Sequence, residues 1–227
     1  MDDFELIIID DASTDDTVSI INSYRDKRIK LYRNKHNLGN YPSRNLGMRN
    51  AVGKYIAVMD ADDVCMTERF EKQVQFMEVN REIGIAASAV RLSTGKEISL
   101  PSETAILKVL FFQENYLKHP SLIFRKQLFE KHHLHYDERY RYSADYDLLV
   151  RAFRHFPVTA MQDILLTYRI PPPAPSEAGH KTHNSQLSIL NSKMPARRSC
   201  SSQAPNFMRW RMKGSRRKRD FHFSSAT

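Results

Sequence analysis

Long apolar runs, cysteines and glycine-rich loops are scarce in this 227-residue sequence. No apolar run approaches the roughly 18 residues that a transmembrane helix requires. The two cysteines, Cys65 and Cys200, stand far apart, which favours free thiols in a reducing, cytoplasmic compartment. Acidic residues at positions 2 and 3, followed by a short apolar run, are unlike a signal peptide. The sequence has no GxxxxGKS, GxxxxGKT or GxGxxG loop, which excludes a P-loop and a dinucleotide-binding fingerprint.

Positive charge is concentrated at one end of the chain, although the formal net charge of the whole is +9. The sequence after Ser192 contains ten Lys or Arg residues and a single acidic residue, Asp220. Residues 1–192 contain 25 basic and 25 acidic residues. The stretch 193–227 has no apolar periodicity, so we predict a disordered basic tail. Such a tail either contacts anionic lipid at the inner face of a membrane or is a solvated extension. We do not expect specific nucleic-acid binding.

Short β-rich runs alternate with helical spacing along the first 92 residues. This alternation predicts parallel βαβ units and a three-layer α/β sandwich with a mostly parallel sheet. We predict strands over 4–9, 29–34, 54–60 and 83–92, and helices over 17–24, over 44–51 with Ser43 as its cap, and after a cap at Thr67.

Two of these strands end in acidic clusters. Asp10 and Asp11 follow the first strand, and Asp60, Asp62 and Asp63 follow the third. In open α/β sheets, ligands bind outside the carboxyl ends of the strands. Acids in such places also cap the next helix, a role that suits Asp63. We therefore interpret Asp60 and Asp62 as binding residues.

Two carboxylates at this spacing suit a hard cation. Mg²⁺ or Mn²⁺ takes oxygen ligands, keeps water and completes its shell with substrate phosphates. The pattern of Asp60 and Asp62 therefore indicates a metal-bridged diphosphate.

A histidine-rich segment invites a metal interpretation that we do not favour. His132, His133 and His135 follow an amphipathic segment and lack a matching further ligand in the sequence. We interpret them as a loop or helix end.

Three segments together resemble a known family. They are DFELIIIDDASTDDT, NLGNYPSRNLGMRNAVGKYIAVMDADD and SADYDLLVRAF. They are similar to the family 2 glycosyltransferases, inverting enzymes of the GT-A fold, over roughly residues 2–170. The resemblance implies a nucleoside diphosphate sugar donor, most often a UDP-sugar, and a saccharide or lipid-linked saccharide acceptor. It also implies a role in polysaccharide biosynthesis.

The resemblance assigns roles on the donor side. Asp10 and Asp11 match the acids at the nucleotide, with Asp11 on the base. Arg44 and Asn45 match the Arg-Asn pair of the helix beneath the nucleotide. Asp60 and Asp62 match the Asp-x-Asp motif, with Asp62 the direct ligand of Mn²⁺ or Mg²⁺ and Asp60 nearer the ribose.

An inverting transfer also needs a base for the acceptor hydroxyl. Asp145 matches the family's base, although its usual acidic neighbour is replaced by Ala144. The alternative is that Asp145 is only a helix N-cap. His119, in the segment HPS, matches an acceptor-side position and is a weaker candidate.

The sequence departs from the family pattern at both ends. The resemblance begins at the family's second strand, without a strand–helix unit of roughly thirty residues, so we expect open strand edges beside the site. Near the other end, two interpretations of His183 stay open. Either a Pro-rich insertion loops out and His183 matches a family histidine at the metal or phosphate site, or the resemblance ends at Ile170 and the match is coincidental, which we favour. We therefore divide the chain into a GT-A domain (1–170), a Pro-rich insertion or linker (171–192) and the basic tail (193–227).

Three functions remain compatible with these patterns. The first is a metal-assisted glycosyltransferase. The second is a non-catalytic or degenerate fragment that binds a nucleotide sugar. The third is a protein that binds anionic surfaces through its tail.

Overall fold

The computed structural model describes residues 3–170 and two short stretches, 210–213 and 220–223. The helices are α1 (Thr17–Ser23), α2 (Asn40–Asn50), α3 (Arg69–Val79), α4 (Thr104–Phe111), α5 (Lys126–Lys131) and α6 (Ala144–Ala152), with a 3₁₀ turn at His119–Ser121. The strands are β1 (Leu6–Asp10), β2 (Ile29–Arg33), β3 (Tyr55–Ala57), β4 (Val64–Cys65), β5 (Ile85–Leu92), β6 (Glu97–Ile98), β7 (Leu122–Arg125) and β8 (Val158–Tyr168), followed by β9 (Trp210–Lys213) and β10 (Asp220–Phe223).

The strands of residues 3–170 form two separate sheets. β1 and β2 pair in parallel, with Leu6 opposite Ile29. The larger sheet has six strands in the order β3-β7-β5-β8-β4, with β6 attached to β5. Parallel and antiparallel pairs both occur in it: β5 and β8 run parallel, whereas β7 is antiparallel to β3 and β5. The sheet is thus mixed where we predicted a mostly parallel one, because hydrophobic pattern does not encode the direction in which a strand enters a sheet.

Helices cover both faces of the larger sheet, as the predicted three-layer sandwich requires. Successive residues of a strand point to opposite faces. Ile85 and Phe124 therefore join α4, α5 and α6 in one buried cluster, while Ala86 and Ile123 join Met77 of α3 in another. This alternation along β5 and β7 makes the sheet the middle layer.

Two helices begin where the sequence did not predict. α2 begins at Asn40 rather than Arg44, because Gly39 turns the chain with a φ of 92° and Pro42 fits the first helical turn. α3 begins at Arg69 without a side-chain cap, and the Thr67 hydroxyl donates to Glu68 instead.

The predicted open edges are present beside the acidic strand ends. Among the described strands, none pairs with the second edge of β1 or of β3. The bonds from Leu6 N to Arg28 O and from Asn34 N to Asp10 O show which residues of β1 face β2. The backbone groups of Ile7 and Ile9 therefore point to the open side, where such groups can template pairing with another strand.

Much of the predicted C-terminal organisation lies outside the described residues. This applies to the linker (171–192), to His183, to Cys200 and to most of the basic tail. Within the tail, β9 and β10 pair antiparallel, whereas we predicted disorder for 193–227. Within the part of the chain that the structure describes, no helix is both long and apolar enough to cross a bilayer.

Candidate active site

The acids after β1 hold their own loop together. The buried Asp10 accepts a hydrogen bond from the Ser13 backbone (3.2 Å), and the Arg33 Nε lies 3.0 Å from its other oxygen. Between them the chain turns at Ala12, whose φ of 63° is in the left-handed region. Asp10 thus closes the turn that follows β1.

Asp11 anchors the loop that leads into α2. Its Oδ1 accepts hydrogen bonds from Asn34 Nδ2 (2.7 Å) and Leu38 N (2.9 Å), and its Oδ2 accepts one from Gly39 N (2.8 Å). Three donors satisfy this half-buried carboxylate. The predicted contact with a nucleotide base stays a prediction.

The acids after β3 lie in three different environments. Asp60 is ion-paired with Arg44 and half-buried. Asp62 is exposed, and within residues 3–170 we find no hydrogen bond or ion pair to its carboxylate. Asp63 is buried, and a turn bond from its backbone N–H to Asp60 O (3.3 Å) fixes the bend between them.

Asp63 joins this bend to the end of β8. Its Oδ1 accepts a hydrogen bond from the Arg169 backbone (2.7 Å), while its Oδ2 is buried without a protein partner in the described region. Burial, opposed by that bond and reinforced by Asp60 and Asp62, raises the pKa of Asp63 to about 7. Asp63 therefore has a structural role, but not the helix-capping role considered from the sequence.

A buried guanidinium stands behind this cluster. Arg69 is fully buried and donates to Val58 O (2.9 Å) and to Gln73 Oε1 (3.0 Å). Burial lowers its pKa to about 10, so it remains charged at neutral pH. It fixes the strand just before Asp60 and offsets part of the negative charge there.

Side chains of α2 contact both Asp60 and the segment that precedes α6. Arg44 meets Asp60, and its Cζ lies 6.0 Å from the ring centroids of both Tyr41 and Tyr136. Asn45 is buried: its amide donates to Tyr136 O (2.8 Å) and accepts from Tyr136 N (2.9 Å). Asn45 therefore pins the chain before α6, and its predicted nucleotide contact stays a prediction.

Asp145 lies in the first turn of α6. Ser143 holds the cap position with a φ of 65°, so the structure contradicts the capping alternative for Asp145. The half-buried carboxylate instead lies 3.3 Å from the Tyr41 hydroxyl and 3.3 Å from Asn115 Nδ2. A carboxylate at a helix N-terminus is also stabilised by the helix dipole.

A series of contacts connects Asp145 to the Asp-x-Asp motif. Asp145 lies 3.3 Å from the Tyr41 hydroxyl, the Arg44 Cζ lies 6.0 Å from the centroid of the Tyr41 ring, and Arg44 is ion-paired with Asp60. Burial and then the charges of Asp63, Asp60, Asp62 and Asp145 raise the pKa of Tyr168, at the end of β8.

The residues present fit a divalent cation that takes most of its shell from elsewhere. Asp60 and Asp62 offer carboxylate oxygens from one strand end, which Mg²⁺ or Mn²⁺ accepts together with water and phosphate. Within the described residues, no three His, Cys, Asp or Glu side chains form a ready-made metal cage. This is the donor set expected of a metal that arrives with a diphosphate.

The histidines do not enlarge this donor set. His119 is buried, and its Nε2 lies 2.7 Å from the Tyr136 hydroxyl. Burial, with Arg44, lowers its pKa well below the ordinary value, so the ring is neutral. Its predicted acceptor contact stays a prediction. His132 stacks on His155 with ring centroids 4.3 Å apart, and parallel rings cannot both direct a lone pair at one cation.

An open depression of about 810 Å³ lies beside the first strand end. Ser13, Thr14, Arg33 and Lys35 contribute to its lining, whereas the carboxylates after β3 and Asp145 do not. The depression has two carboxylates of its own, Asp15 and Asp16, and Asp15 Oδ1 accepts hydrogen bonds from the backbone and hydroxyl of Thr17. We assign the candidate site to the carboxylates after β3 and to Asp145, because Asp60 and Asp62 form the Asp-x-Asp pattern that suits a hard cation.

Sequence reasoning missed four residues of the site: Tyr41, Arg69, Asn115 and Tyr168. Tyr41 lies one turn before Arg44 on α2, so helical spacing was an available signal. Asn115 comes from the loop after α4, and only the folded chain brings it to Asp145. Tyr168 comes from the end of β8, and the charges of the carboxylates after β3 reach it only in the folded chain.

Comparison with known proteins agrees with this geometry. Glycosyl transferase family 2 matches residues 1–141. An uncharacterised glycosyltransferase of Methanocaldococcus jannaschii is 36% identical over 176 residues, covering 73% of this chain and 60% of that relative. An Escherichia coli UDP-Glc:α-D-GlcNAc-diphosphoundecaprenol β-1,3-glucosyltransferase, WfaP, is 43% identical over 77 residues, covering 34% of this chain and 31% of its own. The chain thus spans about three fifths of the first of these relatives.

Solved structures share the fold at low sequence identity. TarS of S. aureus, in complex with UDP-GlcNAc, superposes with a TM-score of 0.65 and 18% identity, covering 78% of this chain and 53% of TarS. The mannosyltransferase PcManGT of Pyrobaculum calidifontis, in complex with GDP-Man and Mn²⁺, has a TM-score of 0.56 and 16% identity, covering 74% of this chain and 48% of its own. These likenesses confirm the predicted GT-A fold class. The family match over residues 1–141 and the 36% identity to the M. jannaschii relative show that the chain belongs to glycosyl transferase family 2.

Proposed function

We propose that this chain transfers a sugar from a nucleoside diphosphate sugar, with UDP-sugars as the first donors to test, to a saccharide acceptor with inversion. The observation that carries the proposal is the position of Arg44. Its guanidinium is ion-paired with Asp60 and within electrostatic range of Asp145. Arg44 therefore links the half of the site suited to a diphosphate with the half suited to a base.

Asp60 and Asp62 are the residues that would hold Mn²⁺ or Mg²⁺ together with the donor diphosphate. When bound, the cation would neutralise the charge that develops on the leaving diphosphate. Arg44 adds a fixed positive charge on the same side, and Arg69 supports the strand from behind. The loop that Asp11 anchors, with Asp10 at its base, forms the wall on which the nucleoside lies.

Asp145 acts as the base. The acceptor oxygen forms a bond to the anomeric carbon while the bond from that carbon to the diphosphate oxygen breaks. The acceptor hydroxyl proton passes to the Asp145 carboxylate, and the nucleoside diphosphate leaves. Because attack and departure occur on opposite faces of the sugar in one displacement, the anomeric configuration inverts.

The acceptor and the location complete the proposal. The name of the E. coli relative specifies a diphosphoundecaprenol-linked acceptor. A lipid-linked saccharide is therefore the acceptor to test beside a free one. The basic stretch 193–227 would hold the chain at the inner, cytoplasmic face of a membrane through anionic lipid.

The test is a transfer assay on wild type and Asp145→Asn, with Asp147→Asn as the matched control. Asn keeps the size of Asp but cannot accept the proton, so kcat should fall roughly 100-fold or more. Donor affinity should change little, because Asp60 and Asp62 are intact. Asp147 lies in the same turn and, within residues 3–170, is ion-paired with Arg151 alone (2.7 Å), so its change should leave kcat within about twofold.

Three outcomes decide between this proposal and its alternative. Near wild-type transfer by Asp145→Asn would remove Asp145 as the base. Lost donor binding in that variant would place Asp145 in the nucleotide site. Metal-dependent nucleotide-sugar binding without transfer in the wild type would favour a binding fragment, a reading supported by the separation of β1 and β2 from the larger sheet.

A further inference from the structure

Two neutral donors from separate parts of the chain converge on the Asp145 carboxylate. The Tyr41 hydroxyl of α2 lies 3.3 Å from Oδ1, and the Asn115 amide nitrogen, from the loop after α4, lies 3.3 Å from Oδ2. Each oxygen thus has its own donor. Both contacts exceed the roughly 2.8 Å of an optimal bond, as is common for catalytic groups before substrate binds.

The Tyr41 ring is held rigidly for this contact. It stacks on Tyr136 with ring centroids 5.7 Å apart and planes inclined by 23°, and the Arg44 guanidinium lies against both rings. Tyr136 is in turn held through its backbone by the buried Asn45. The hydroxyl of Tyr41 therefore has little freedom to turn away from Asp145.

The Tyr41 phenol is a donor at every relevant pH. Burial and then the charge of Asp145 raise its pKa above the ordinary value of 10.0. A protonated hydroxyl can give its one hydrogen to the carboxylate while accepting from the Ala144 backbone amide, with which it also interacts.

Asn115 has an orientation that its own hydrogen bonding does not explain. Its Oδ1 is buried without a partner in the described part of the protein. An unpaired buried oxygen destabilises the folded state and calls for an explanation. Turning the amide over would direct that oxygen at the Asp145 carboxylate, so the observed orientation presents the nitrogen to Asp145 instead.

We propose that Tyr41 and Asn115 are positioning residues that fix the Asp145 carboxylate for proton removal. The inference rests on the proposed function of Asp145. The two donors hold one rotamer of the carboxylate and leave a lone pair of one oxygen for the acceptor hydroxyl. Neither side chain needs to touch the sugar, so their removal should slow the chemical step without weakening donor binding.

The experiment measures kcat and the donor KM for Tyr41→Phe and Asn115→Ala, with Tyr142→Phe as control. Tyr142 is exposed, and its ring lies beside Arg141 rather than at the site. Each site variant removes one hydrogen bond to the Asp145 carboxylate. This loss should lower kcat about tenfold and change the donor KM by less than about twofold. The control should match the wild type.

A double-mutant cycle separates positioning from mere structural support. In the Asp145→Asn background, Tyr41→Phe should change the residual kcat by less than about twofold, because the proton acceptor that it orients is already gone. A structural role through the Ala144 amide would instead lower the thermal midpoint and reduce kcat in both backgrounds. Unfolding curves of all variants accompany the kinetics.

The failure of this inference is distinguishable from failure of the proposed function. If the wild type transfers sugar and Tyr41→Phe and Asn115→Ala do so at the same kcat, only the positioning roles are overturned. A tenfold loss that persists undiminished in the Asp145→Asn background overturns them too. If the wild type transfers no sugar to any acceptor, both proposals fall.

Discussion

Asp11, which follows β1, and Asp62, which follows β3, come from similar sequence contexts and lie in opposite environments. Asp11 is satisfied by three donors of the loop that precedes α2. Asp62 is exposed, with no partner that we find in residues 3–170. Acidic residues at the carboxyl end of a strand can therefore be taken up in anchoring a loop, as Asp11 is, or left exposed, as Asp62 is, and the neighbouring chain decides which.

The buried acids of the two clusters differ in the same way. Asp10 has the Arg33 guanidinium beside it, 3.0 Å from Oδ2. Neither Asp10 Oδ2 nor Asp63 Oδ2 accepts a hydrogen bond in the described residues, but Asp63 also has no ion pair there, and its pKa is raised. The buried acid of the first cluster thus has a cation in contact with it, whereas the buried acid of the second does not.

The sharpest test of this contrast is the response of nucleotide binding to Asp62→Ala. In the presence of Mn²⁺, affinity for UDP should fall by roughly 100-fold or more, because a direct ligand of the cation is lost. Asp16→Ala, an exposed acid after β1 with no side-chain cap bond, is the matched control and should bind as wild type does. Titration calorimetry measures both. Equal affinity of the wild type with EDTA present would contradict the metal assignment.

For stability we expect Asp11→Ala to have a larger effect than Asp62→Ala. Asp11→Ala leaves three donors of the α2 loop without their acceptor, so the free energy of unfolding should fall by about 3 kcal/mol. Asp62→Ala should change it by less than about 0.5 kcal/mol. Urea denaturation followed by circular dichroism makes the comparison. If Asp11→Ala were fully stable and had lost nucleotide affinity, Asp11 would belong to the base pocket after all.

A pH dependence of stability should originate at Asp63. Its folded pKa of about 7 lies above the ordinary 3.8, so the folded state binds more protons between these values. The contribution of Asp63 to stability is therefore most favourable below about pH 4, declines as the pH rises to about 7, and is level above it.

Asp63→Asn tests this directly in metal-free buffer. Asn cannot ionise but can still accept the Arg169 backbone bond, so the variant should unfold at a higher temperature than wild type at pH 8. The difference between the two proteins should shrink as the pH is lowered toward 4. If the variant were less stable than wild type at pH 8 and stability depended on pH equally in both proteins, ionisation of Asp63 would not destabilise the folded state.

Part of the fold and of the site was predictable from the sequence. Four apolar residues before Asp10 and the run at 85–92 identified β1 and β5, because strand propensity and burial act together there. The position of Asp145 at a helix start also followed from local spacing. The start of α2 at Asn40 did not, because it depends on the turn at Gly39 and on the anchoring of that loop by Asp11.

The sequence alone determined the family, the GT-A fold class and the identity of the carboxylates at the strand ends, since these depend on local pattern and motif. Tertiary structure alone decided which carboxylate is free. It saturates Asp11 with loop donors, pairs Asp60 with Arg44, buries Asp63 and directs Tyr41 and Asn115 at Asp145. The reason is physical: an acid has the same charge wherever it occurs in the chain, but its partners and its access to water come from segments up to a hundred residues away.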